Sequence, residues 1–63
     1  MNDTLEYLVE KLQEERNSKG EALLDGAVQS FEEYKYATGV IRGLLLAESI
    51  ITDLAKRMES SDE

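Results

Sequence analysis

The chain contains no cysteine, no histidine and no proline in its 63 residues. Without cysteine there is no disulfide framework and no thiolate metal site. Without histidine the commonest general base and the commonest metal ligand are both missing. The absence of proline removes the strongest helix breaker and favours long helices. Basic side chains are scarce, 7 against 14 acidic ones, and the net charge is −7. A nucleic-acid binder needs a basic stripe, so this balance argues against direct nucleic-acid binding. It suits instead a solvated acidic surface, a basic partner or mimicry of a polyanion. Long apolar runs are missing too. The longest, Leu44-Leu45-Leu46-Ala47, falls far short of the ~20 residues of a membrane span. No basic, apolar leader opens the chain. The expected location is the cytoplasm, or an assembly built there.

What remains is one small domain near the lower size limit for a self-sufficient core. Domains this small usually need staples, metals or partner chains, and the first two find no residues here. Partner chains are the remaining source of stability.

The pattern is helical from one end to the other. Asp3 or Thr4 offers an N-cap, with Glu6 placed for a loose capping box. Leu5, Leu8, Val9 and Leu12 then recur at helical spacing, among Glu6, Glu10, Lys11, Glu14 and Glu15. From Gln13 to Glu21 no large apolar residue appears. Asn17-Ser18-Lys19-Gly20 is read as the break, with Gly20 left-handed after the helix or Ser18 capping the next one. A single uninterrupted helix is the competing reading. The spacing thus predicts a helix over 4–17, a break at 18–20, a helix over 21–58 and a frayed acidic tail at 59–63.

In the second helix Val40, Leu44, Ala47, Ile51, Leu54 and Met58 form a heptad-like seam. A second stripe, Ala27, Phe31, Tyr34, Ile41 and Leu45, runs beside it. Lys35, Arg42, Ser49 and Lys56 recur every seven residues on the solvent side. A first helix ending near residue 17 covers less than half of such a partner at ~1.5 Å per residue. Each large apolar side chain left in water forfeits about 1.5–3 kcal/mol. The expected fold is therefore all-α, a helical hairpin of a short and a long helix that associates into an oligomeric bundle.

The centre of that surface is Phe31 to Ala47. Gly39 and Gly43 stand one turn apart, although each glycine costs a helix interior roughly 0.5–1 kcal/mol. Close approach of another backbone explains them; a kink or a local break is the alternative. Tyr34 and Tyr36 suit a half-buried interface better than base stacking. Lys35, Arg42 and Lys56 are too few for a phosphate track. The adjacent pairs Glu14-Glu15 and Glu32-Glu33 point about 100° apart on a helix and lack a converging histidine. No catalytic, cofactor or metal residue is expected. The candidate interface is Phe31, Tyr34, Tyr36, Gly39, Val40, Gly43, Leu44, Ala47, Ile51 and Leu54.

Residues 23–47, LLDGAVQSFEEYKYATGVIRGLLLA, resemble small helical proteins of tailed bacteriophages. Those carry a Gly-Ala step, an aromatic, a tyrosine a turn later and a Gly-x-Ile-x-Gly-Leu segment. Here the matching positions are Gly26, Ala27, Phe31, Tyr34, Gly39, Ile41, Gly43 and Leu44. The resemblance implies a viral origin, with a role in the virion or its assembly in the host cytoplasm, and transfers no catalytic residue. The function expected is non-enzymatic: a structural or assembly protein that self-associates and docks on a larger protein. The alternative is an acidic regulatory module that binds and inhibits a host or viral nucleic-acid enzyme.

Overall fold

Two helices make up the chain in the computed structural model, which describes residues 2–61. Helix α1 runs over Asp3–Leu24 and helix α2 over Phe31–Ser61. They pack against each other as a hairpin, and no strand occurs among the described residues. Residues Met1, Asp62 and Glu63 lie outside that description, including the end of the acidic tail. Helix α2 continues over Glu59–Ser61, part of the segment read as frayed.

The start of α1 is capped one residue earlier than expected. Asn2, in an extended conformation, accepts hydrogen bonds on its side-chain oxygen from the N–H groups of Thr4 (2.8 Å) and Leu5 (3.3 Å). Two of the orphan donors of the first turn are thereby satisfied, with Asp3 and Glu6 at the positive pole.

The break at 18–20 is corrected. Asn17, Ser18, Lys19 and Gly20 are all helical, and α1 ends seven or so residues further on than the sequence pattern indicated. The stop is a Schellman motif around Gly26. Gly26 takes φ +77°, its N–H donates to the Leu23 carbonyl at 3.3 Å, and the Ala27 N–H donates to Ala22 at 3.1 Å. Only at Gly26 does a glycine in this chain need the left-handed region. Gly26 and Ala27 therefore belong to the connection and not to the second helix. Ser30 restarts the chain: its hydroxyl accepts from the Glu33 N–H at 3.1 Å, while the Glu33 carboxylate accepts from the Gln29 N–H at 2.9 Å. This is a capping box displaced by one residue on its return arm.

With 22 residues against 31, α1 runs along about two-thirds of α2 rather than less than half. The core still stays thin. Ala55 is the one buried apolar residue among those described, and no large side chain is fully buried. The long dimension reaches 51 Å while the other two are 16 and 12 Å.

Two glycine substitutions should separate the two positions of the break. Gly20 is helical and a Cβ there meets nothing within 4 Å, so Gly20→Ala should stabilise by roughly 0.5–1 kcal/mol. Gly26→Ala should destabilise by about 1 kcal/mol or more, because its positive φ is strained for any side chain. Urea titrations of both variants check this; the same sign for both would refute the placement of the turn.

Candidate interaction surface

The two helices meet along rows set by helical periodicity. Among the shielded residues, Leu5, Val9, Leu12, Arg16, Gly20 and Leu23 form one row on α1, and Ala37, Ile41, Leu44, Glu48, Ile51 and Ala55 form one on α2. Both rows step by three and four, as a packed helix face must. A charged residue sits in the middle of each row, and the two charges meet. The Arg16 Nε donates to Glu48 Oε2 at 2.7 Å and its Nη2 donates to Oε1 at 3.3 Å. This two-point contact is the geometry that a guanidinium and a carboxylate favour. The Glu48 side chain is only 11 % exposed.

Hydrogen bonding from Arg16 holds the Glu48 carboxyl below its ordinary value of 4.5, against the opposing effect of burial. The charge of Arg16 and a bond from Gln13 add to the lowering. Arg16 is raised in turn, chiefly by the same hydrogen bond. A folded carboxyl with a depressed pKa contributes stability that is present above its unfolded value and lost as pH falls through the folded one.

The residues expected at the interface divide into two sets. Val40, Leu44, Ala47 and Ile51 are half-buried in the hairpin, with Leu44 and Ile51 in the row that faces α1. Phe31, Tyr34, Tyr36 and Leu54 remain exposed. At Gly39 and Gly43 an added Cβ would meet no atom within 4 Å. In the hairpin itself, nothing uses the closeness that these two glycines permit.

Two further apolar residues, outside the expected set, lie on this outer flank. Leu46 is 63 % exposed and Ile50 is 60 % exposed, beside Tyr36 at 76 %. At 100° per residue, Tyr36, Gly39, Gly43, Ile50 and Leu54 fall within one narrow band of α2, flanked by Leu46 and Ala47. A search for one seam passes over them; asking which apolar residues remain once that seam is covered finds them. On the opposite side of the hairpin, Gly20, Leu24, Ile41 and Leu45 line an open groove of about 430 Å³. Arg16, Asn17 and Glu21 supply its polar wall.

The outward face of α1 is different in kind. Asp3, Glu10, Glu14 and Glu21 are exposed and share one row by their spacing of seven, four and seven. Lys11 bridges to Glu14 at 3.1 Å and lies 5.5 Å from the Tyr7 ring. Among the described residues no helix is long and apolar enough to cross a membrane, and no three acidic side chains converge to hold a metal ion.

In comparison with known proteins, no family model matches the chain, and neither a curated protein nor a solved structure is similar to it.

The Arg16–Glu48 contact gives two expected outcomes. Arg16→Leu should destabilise the hairpin by leaving Glu48 shielded and unpaired, while Arg16→Leu with Glu48→Leu should recover most or all of the loss. A double-mutant cycle from denaturant melts measures the coupling. The stability gap between the unaltered protein and Glu48→Gln should hold above the ordinary carboxylate value of 4.5 and narrow as pH falls below it, through the depressed value of the folded carboxyl. A gap that stays constant with pH would mean that Glu48 carries no depressed pKa.

Proposed function

We propose that this protein is a non-enzymatic structural or assembly unit, which works by helix–helix self-association and docks its α2 surface on a larger protein. One observation carries the reading: Tyr36, Leu46, Ile50 and Leu54 stand exposed on a single flank of the longest element of the fold. Contiguous exposed apolar surface on a small chain marks an interaction site. The thin core supports the same view, because a chain with so little buried gains its missing stability from a partner. The resemblance of residues 23–47 to small helical proteins of tailed bacteriophages makes a virion, or its assembly in the host cytoplasm, the setting of this role.

A second reading draws on the acidic row of α1. A regulatory module could present Asp3, Glu10, Glu14 and Glu21 to the basic site of a nucleic-acid enzyme. Such an interaction would weaken steeply with salt, whereas apolar docking would not.

Concentration-dependent melting tests the first reading. An associating hairpin should gain thermal stability as protein concentration rises, by mass action. Leu44→Asp cannot isolate this effect, since Leu44 lies in the hairpin's own seam. Ile50→Asp can: it should disperse the oligomer in sedimentation velocity and leave helical circular dichroism in place. A folded, stable monomer at hundreds of micromolar would refute the assembly role.

A further inference from the structure

We propose that the partner seated on the exposed flank of α2 is a second copy of this chain, packed antiparallel about a two-fold axis near residue 45. The proposal rests on the assembly reading and names its first partner. Three features of the flank bear on it.

The first is area. The chain exposes 5034 Å². A compact monomer of 7.1 kDa exposes about 4,100 Å² by the usual scaling of surface with mass. The excess is roughly 900 Å², close to the ~800 Å² that each partner contributes to a standard interface. One copy of itself is enough to cover it.

The second is shape. The N-terminal half of the flank is hollow, with Gly39 and Gly43 open to solvent where side chains would stand. The C-terminal half is bulky, with Leu46, Ile50 and Leu54. Placed parallel, two such flanks set glycine on glycine and bulk on bulk. Placed antiparallel, Leu46 and Ile50 of each copy enter the glycine hollow of the other, and Leu54 packs on the partner's Tyr36 at each end. The axis belongs at the midpoint of the band between Tyr36 and Leu54, where overlap is complete. To within one residue, Gly43 then faces Leu46 or Ala47, and Gly39 faces Ile50. An isologous contact of this kind closes on itself and stops at two copies.

The third is charge. Glu32 and Glu33 occupy the first turn of α2, and Lys56 and Arg57 lie near its other end. Of these, Glu32 and Arg57 fall on the flank itself at 100° per residue, and the antiparallel register brings the Glu32 of each copy beside the Arg57 of its partner at both ends of the contact. A parallel register opposes Glu32 to Glu32 and Arg57 to Arg57. Arg57 already pairs with Asp53 at 3.2 Å, but that contact is surface-exposed and leaves the guanidinium free to share.

The chain has no cysteine of its own, so single cysteines report orientation without background. Tyr36→Cys and Leu54→Cys are made separately, mixed in equal amounts and equilibrated in a glutathione redox buffer. Circular dichroism confirms that both stay helical. The antiparallel register places the two positions opposite each other across the axis, so the mixed disulfide should exceed its random share and each variant alone should cross-link poorly. Predominance of the two self-disulfides, or random pairing within a persistent oligomer, overturns the antiparallel register and leaves the assembly reading standing. A monomer throughout overturns both. The glycines supply a second readout. A Cβ at Gly43 meets no atom within 4 Å in the hairpin, so Gly43→Leu should keep its helicity, yet it fills the hollow and should weaken dimerisation at least tenfold, a change of about 1.4 kcal/mol. Unchanged dimerisation by Gly43→Leu would also overturn the proposal.

Discussion

A charged pair in the middle of an apolar seam is costly to break and adds little over an apolar pair, and the Arg16–Glu48 contact imposes that asymmetry on the hairpin. Around it the apolar residues repeat every seven, so periodicity alone would let α1 slide along α2 by whole heptads. A slide of one heptad would set Arg16 level with Ile41 or Ala55 and leave both charges shielded without a partner. The apolar seam supplies attraction, and the ion pair removes the competing registers. From that register follows the placement of everything else. With Arg16 level with Glu48, the first two turns of α2 extend past the end of α1, and the connection at 25–30 spans that offset.

Helical content and the hairpin were legible because they follow from local rules: no proline, and apolar residues at helical spacing. The position of the turn was not. Gly20 offered a C-cap, and the apolar stripe of α1 looked finished at Leu12. In the structure the same row continues through Arg16, Gly20 and Leu23. An arginine reads as polar in a pattern, while its stem covers apolar surface and its head finds Glu48. The better signals lay further along. Asp25-Gly26 is a turn dipeptide, and Ser30-Phe31-Glu32-Glu33 has the spacing of a capping box. The capping chemistry at Gly26 and Ser30 marks the boundary that the reading of residues 17–20 misplaced.

The sequence did not separate those expected interface residues that pack inside the hairpin from those left exposed. Leu44 and Ile51 turn toward α1, while Tyr36, Gly39, Gly43 and Leu54 turn away from the hairpin seam. A sequence row made only of apolar residues looks like the natural seam, and Val40, Leu44, Ala47, Ile51 and Leu54 make such a row. The hairpin uses a row rotated from it by about 60°, computed at 100° per residue. That choice is dictated by Glu48, which has a partner only if it faces α1. A charge therefore decides which apolar residues remain outside.

This division connects stability to assembly. Had α1 settled on the purely apolar row, the hairpin would have hidden more of its large side chains and shielded Glu48 nowhere. Instead the ion pair occupies the centre of the internal contact, and Leu46, Ile50 and Leu54 are left at the surface together with two glycines. Each feature alone is a loss: a desolvated charge pair, exposed leucines, and glycines that weaken a helix. They become consistent once the single chain is treated as half of a structure. The internal ion pair specifies one hairpin register, and in the proposed dimer the leftover apolar flank would supply the association energy.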